Sequence, residues 1–88
     1  MSDKDTKPPG AHYLGITDQD GDRHSFCRAS IEVQAVRLGR YWTVDIGDDY
    51  YHVYPKAIYT KEAKAKEVRD LVIAAAKDRE QESITLPK

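Results

Sequence analysis

The stretch Tyr41-Trp42-Thr43-Val44-Asp45-Ile46-Gly47-Asp48-Asp49-Tyr50-Tyr51-His52-Val53-Tyr54 decides the fold. Successive side chains of an extended chain point to opposite faces, so Trp42, Val44 and Ile46 share one side and Tyr41, Thr43 and Asp45 the other. The pattern resumes after the glycine, with Tyr51 and Val53 opposed to Tyr50, His52 and Tyr54. Between the two runs Gly47-Asp48-Asp49 suits a tight hairpin, with glycine supplying positive φ. A loop at Gly47-Asp48 pairs Ile46 with Asp49, Val44 with Tyr51 and Trp42 with Val53. A loop at Asp48-Asp49 shifts the partners but not the faces. Either way Trp42, Val44, Ile46, Tyr51 and Val53 form the buried side of a hairpin, because slipping by one residue would expose them all.

Working outward, His12 to Thr17 and Arg23 to Ala29 flank Asp18-Gln19-Asp20-Gly21-Asp22, and Asp-Gly is a strong hairpin-turn pair. A two-residue turn at Asp20-Gly21 sets Phe26 opposite Gly15, away from Leu14 and Ile16, whereas a three-residue turn sets Phe26 beside them. Ser30 to Leu38 fits two periods. Ile31, Val33 and Ala35 alternate as in a strand, and Ile31, Ala35 and Leu38 also match a helix stopped by Gly39. The β-branched content favours a strand with a break near Arg37. From Lys61 to about Arg79 the chain reads as a helix, N-capped by Thr60, with Ala65, Val68, Leu71, Val72 and Ala75 on one stripe. Glu62 with Lys66, and Lys66 with Asp70, are pairs four apart on the exposed side. The predicted fold class is α+β: an antiparallel sheet of four to five strands with one long C-terminal amphipathic helix packed on one face.

Residues 1–11 are polar, with Pro8-Pro9-Gly10, and read as a flexible leader. Residues 12–79 form the domain. In the tail, 80–88, Ile84, Thr85 and Leu86 alternate and suggest a short edge strand. The whole chain has 88 residues, enough for one small domain. Fourteen basic residues stand against fifteen acidic ones, a net charge of −1, which lacks the basic excess of a dedicated nucleic-acid binder. No apolar run has the roughly 20 residues that cross a bilayer, and no membrane partner is expected. Cys27 is the only cysteine, so no internal disulfide can form and a cytoplasmic setting is the expectation.

The candidate chemistries are incomplete. Asp18, Asp20 and Asp22 resemble the opening of a calcium loop, yet Arg23 stands where a glycine is needed and Ala29 where a closing carboxylate belongs. They read as a solvated turn. His24 and Cys27, with His12 or His52, lack the second closely spaced pair of a zinc site. Cys27 or Ser25 as nucleophile, with His24 or His52 as base, has no elbow or phosphate loop around it. No metal, cofactor or enzymatic activity is expected.

Five of the six tyrosines fall between positions 41 and 59. Tyrosine combines large apolar area with a hydroxyl at small entropic cost, which favours interfaces. The expected binding face is therefore Tyr41, Thr43, Asp45, Tyr50, His52 and Tyr54. The expected function is a non-enzymatic protein-binding or self-associating module, with a homodimer as one form. Its size and lack of chemistry suggest an accessory or inhibitor protein of a phage or other mobile element. Single-stranded nucleic acid stacking on the same rings is the alternative, with Arg37, Arg40 and Lys56 at the margin, and Asp45, Asp48 and Asp49 oppose it.

Overall fold

In the computed structural model of the chain, residues 12–50 and 57–88 are described in full and residues 52 and 53 by their backbone. The alternating run becomes strand β4, Tyr41–Gly47, with Val44 and Ile46 fully buried. The other strands are β1, Tyr13–Thr17; β2, Arg23–Cys27; β3, Glu32–Leu38; β5, His52–Val53; β6, Ile58–Tyr59; and β7, Ser83–Thr85. Among the described residues one helix, α1, Glu62–Lys77, lies between β6 and β7.

The α+β class holds, but the single sheet does not. The strands divide into a three-stranded sheet, β2-β1-β7, and a four-stranded one in which β4 lies between β3 and the short β5 and β6. Alternation says which face of a strand is buried but carries no information about which sheet the strand joins. The helix packs across β3 and β4 and reaches β6 and β7. Its buried residues Ala65, Val68, Val72 and Ala75 meet Leu14, Ile16 and Phe26 from one sheet and Val44, Ile46 and Tyr59 from the other in one core. The helix is not the final element, because β7 follows it and runs parallel to β1, pairing Ile84 with Ile16.

The first hairpin takes the three-residue loop. Leu14 pairs with Phe26 and Thr17 with Arg23, and the Asp18 N–H donates to the Asp22 carbonyl at 2.9 Å. Gly21, at φ 91°, supplies the left-handed residue that such a loop needs. Phe26 is then beside Leu14 and Ile16, all three fully buried.

The Ser30 to Leu38 segment resolves as strand, without the break near Arg37. β3 runs continuously to Leu38 and turns through Gly39-Arg40 directly into β4, pairing Leu38 with Tyr41. Gly39 has φ 64° while, among the described residues, no non-glycine residue has positive φ, the requirement of a type II′ turn with glycine first. Gly39 is a hairpin residue, not a helix stop.

The hairpin after β4 also differs in register. Ile46 pairs with Val53 and Gly47 with His52, so the strands are joined by a longer connection than Gly47-Asp48 or Asp48-Asp49. Asp48 is drawn out of the ladder: its carboxylate accepts the Tyr50 N–H at 2.9 Å and the Cys27 N–H of β2 at 2.6 Å. The parity is unchanged, so Trp42, Val44 and Ile46 remain on the core side. Trp42 pairs not with Val53 but with Tyr59 of β6.

Four details of the helix depart from expectation. Lys61, extended at φ −123° and ψ 139°, holds the N-cap position that Thr60 was expected to fill, and no side chain caps the end. Asp78 is extended too, so the helix stops at Lys77 and spans about 24 Å at 1.5 Å per residue. Leu71 is 45% exposed because it lies about 100° around the axis from Val72, outside the buried stripe. Lys66 bonds Glu62 at 3.1 Å as expected, while the carboxylate of Asp70 meets Arg69.

Tyr59 ties the helix entry to the chain end. Its hydroxyl donates to the Pro87 carbonyl at 2.7 Å, and Gln19 Nε2 donates to the same oxygen at 2.9 Å. Burial pushes the phenol above its ordinary value of 10.0, and a side-chain hydrogen bond with Gln19 offsets part of the rise. The folded state thus holds this proton where the unfolded chain has released it, and stability must fall as pH rises through and above 10.0. Tyr59→Phe should remove that alkaline component and cost about 1 kcal/mol at neutral pH through the lost hydrogen bond. Urea titrations at pH 7 and above pH 10 check this; an identical alkaline loss in Tyr59→Phe would refute it.

Candidate functional site

The outer side of the four-stranded sheet, opposite the helix, is the surface to examine. Strand pairing places β3 and β4 residues side by side on it in rows: Leu38 with Tyr41, Val36 with Thr43, Gln34 with Asp45, and Glu32 with Gly47. Ile58 of β6 extends the second row, since it pairs with Thr43 from the other side. Cross-strand partners share a face, so Val36, Thr43 and Ile58 form one line across three strands.

The rows grade from apolar to acidic. At the turn end Leu38 is 57% exposed, Ile58 52%, Tyr41 42% and Val36 36%. Isolated exposed apolar residues are ordinary, but four contiguous ones on a flat sheet face form a patch. At the opposite end a groove of about 310 Å³ runs between Ser30, Glu32 and Gln34 on one wall and Asp45, Gly47, Asp48 and Asp49 on the other. Gly47 has no side chain to fill the floor, and four carboxylates line the rim. The turn itself carries Arg37 and Arg40 and no acid between Val36 and Trp42. Arg37 Nε donates to the Gly39 carbonyl at 3.0 Å, which stiffens the turn.

Of the residues expected on the binding face, Tyr41, Thr43 and Asp45 are brought together on this outer side. Tyr50 is 74% exposed but sits in the loop after β4 rather than in a strand. His52 is placed by its backbone opposite Gly47, and Tyr54 lies outside the described residues. Sequence reasoning missed Val36, Leu38 and Ile58, which come from neighbouring strands. The signal for two of them was present: alternating residues on both sides of Gly39-Arg40 read as a hairpin once the helical alternative is set aside.

The Asp18–Asp22 turn leads into β2, which carries the His24 and Cys27 side chains. The Asp18 carboxylate is buried and accepts the N–H groups of Asp20 at 2.9 Å and Asp22 at 3.0 Å through Oδ1. Its Oδ2 lies 3.0 Å from His24 Nε2. A carboxylate only accepts, so that ring nitrogen carries the hydrogen. The Asp18 carboxylate organises the turn. His24 stacks at a tilt near Phe26, with ring centroids 6.5 Å apart, while Cys27, three residues along the strand, has the opposite parity. Among the described residues no three of His, Cys, Asp and Glu converge as metal ligands, and no helix is long and apolar enough to cross a membrane.

No protein-family model, curated protein or solved structure matches the chain.

Proposed function

We propose that this chain is a non-enzymatic protein-binding module acting through the outer face of β3, β4 and β6. The observation that carries the reading is the joining of an exposed apolar patch to an acidic groove on one rigid sheet face. Binding surfaces commonly have this make-up, with apolar residues for area and a few polar groups for orientation. The separation of His24 from Cys27 across β2 supports a binding role over a nucleophilic one. The nucleic-acid alternative is disfavoured by Glu32, Asp45, Asp48 and Asp49, whose charge would repel phosphates along the face that would have to stack bases.

The test places a charge in the middle of the patch. Val36→Lys should lower the affinity of every association the wild-type protein makes by about tenfold or more, because a charge desolvated in an apolar contact costs several kcal/mol. Glu67→Lys, on the exposed side of the helix, should leave association unchanged. Circular dichroism establishes that both variants fold, and light scattering and affinity capture measure association. Equal binding by wild type and Val36→Lys would sink the reading.

A further inference from the structure

We infer that β3 is a docking edge whose partner is β3 of a second copy of this chain, paired antiparallel about a two-fold axis normal to the sheet. The edge is separate from the outer face proposed above, which the pairing leaves open. Backbone geometry carries the inference. Because Gly39-Arg40 is a two-residue turn, Leu38 and Tyr41 form a hydrogen-bonded pair, and Val36, Gln34 and Glu32 address β4 in the same way. The N–H and C=O groups of Val33, Ala35 and Arg37 therefore point away from β4. Among the described residues no hydrogen bond reaches them. The other sheet closes the end of its β2 edge: the Cys27 N–H donates to the Asp48 carboxylate at 2.6 Å, and the Cys27 carbonyl accepts the Ser30 N–H at 3.2 Å.

β3 also lacks the usual defences of an edge. Its seven residues contain no proline, and its register with β4 runs without a bulge from Glu32-Gly47 to Leu38-Tyr41. A strand added here must supply a period-two ladder, an apolar side chain beside Val36, and charges opposite in sign to Glu32 at one end and Arg37 at the other. β3 reversed meets these terms. Antiparallel pairing turns each copy's Glu32 end toward the other's Arg37 end, whereas parallel pairing would align like charges. Residues directly opposed must share a face, so the axis passes through one residue, and apolar matching selects Val36. That register sets Val36 against Val36, Ala35 against Arg37 and Gln34 against Leu38 of the other copy. Moving the axis to Ala35 would set Val36 against Gln34, and moving it to Gln34 would set Val36 against Glu32. With Val36 on the axis the exposed row runs unbroken through both copies, Ile58-Thr43-Val36 meeting Val36-Thr43-Ile58, and joins two outer faces into one. So short a ladder buries little area, so the dimer is weak and reversible.

Sedimentation equilibrium of the full chain up to about 1 mM covers the range of weak complexes, and wild type should show a monomer–dimer equilibrium. Arg37→Pro should weaken it by about tenfold or more, because the N–H it removes points to the edge and belongs to the dimer ladder rather than to the β3-β4 one. Arg37→Ala, which loses the same side chain but keeps the N–H, should weaken it far less. Circular dichroism checks that both variants fold. A second measurement leaves the ladder intact. In a Cys27→Ser background, Val36→Cys brings two thiols together across the axis, since opposed residues of a non-hydrogen-bonded pair lie about 4.5 Å apart at Cα, within disulfide reach. With oxidised glutathione it should cross-link far faster than Thr43→Cys, which lies beside it on the outer face, one strand inward. Wild type that stays monomeric at all concentrations overturns the edge dimer and leaves the outer face to the Val36→Lys test. A dimer that Arg37→Pro weakens no more than Arg37→Ala does, or that cross-links as fast through Thr43→Cys, overturns it as well, the latter pointing to copies docked face to face.

Discussion

Replacing Arg28 with methionine should destabilise the protein by about 3 kcal/mol, a large share of the 5–15 kcal/mol typical of a domain. Arg28 follows β2, and its guanidinium reaches the far end of the helix. The two hydrogens of Nη1 are shared among the carbonyls of Ala75 at 2.7 Å, Asp78 at 3.0 Å and Ala76 at 3.1 Å, and Nη2 donates to the Gln81 carbonyl. The last carbonyls of a helix have no partner within it, and the negative end of the helix dipole favours a cation there. Hydrogen bonds to a charged group contribute about 1.5–3 kcal/mol each when enclosed. The two outermost are solvent-exposed and contribute less, and Arg28 Nε, buried without an acceptor, subtracts from the total. About 3 kcal/mol is the net expectation, and methionine keeps most of the stem's packing. Arg28→Lys should recover only part of it, since an ammonium lacks the planar fork that spans several carbonyls. Urea denaturation followed by Trp42 fluorescence measures the change, and hydrogen exchange at Asp78 reports loosening of the last turn. A loss below about 1 kcal/mol would show that water replaces the guanidinium without penalty.

Asp18→Ala should be nearly as damaging, at about 2–3 kcal/mol. Asp18 is 4% exposed, and its carboxylate holds the turn amides of Asp20 and Asp22 and the His24 ring. Removing a cap of this kind typically costs 0.5–2 kcal/mol, and the loss of the His24 partner adds to it. The turn has a competitor, because a loop at Asp20-Gly21 would slip the ladder by one residue and turn Phe26 away from Leu14 and Ile16. Burial of Phe26 and the Asp18 bonds therefore select the same register from opposite ends of the hairpin. Asp18→Asn keeps an oxygen for the two amides and presents its amide group to a ring that can change tautomer, so it should cost about 1 kcal/mol or less. Equal losses from Asn and Ala would mean that the negative charge, not the hydrogen-bond geometry, stabilises the turn. Chemical denaturation of the three proteins at one pH separates these outcomes.

Part of the candidate site was legible in advance. Period two alone placed Tyr41, Thr43 and Asp45 together, opposite Trp42, Val44 and Ile46. It could not supply Ile58, whose place beside Thr43 comes from β6, fifteen residues further along. Nor could it supply the groove, which needs Glu32 and Gln34 of β3 set opposite Gly47 and Asp45 of β4. Tyrosine abundance drew attention to positions 41–59, but the exposed apolar area at the turn end owes as much to Val36, Leu38 and Ile58 as to Tyr41.

Read by itself, the sequence determined the α+β class, the core stripe of Ala65, Val68, Val72 and Ala75, and the two faces of β4, because each follows from a local period of 3.6 or 2. Of the glycines it read as punctuation, Gly21 takes positive φ in its turn, whereas Gly39, read as a helix stop, takes it in a hairpin and Gly47, read as the turn glycine, ends β4. Tertiary structure decided everything that depends on a partner distant in the chain. The split into two sheets, β7 lying parallel to β1, and the capture of Asp48 by the Cys27 amide, 21 residues away, are of this kind. So is Arg28 closing a helix end 47 residues away. A strand's alternation says which side it must hide but leaves open which strand or helix will hide it. That choice is made by whichever pairing closes one core over both sheets and leaves no buried backbone group without a partner.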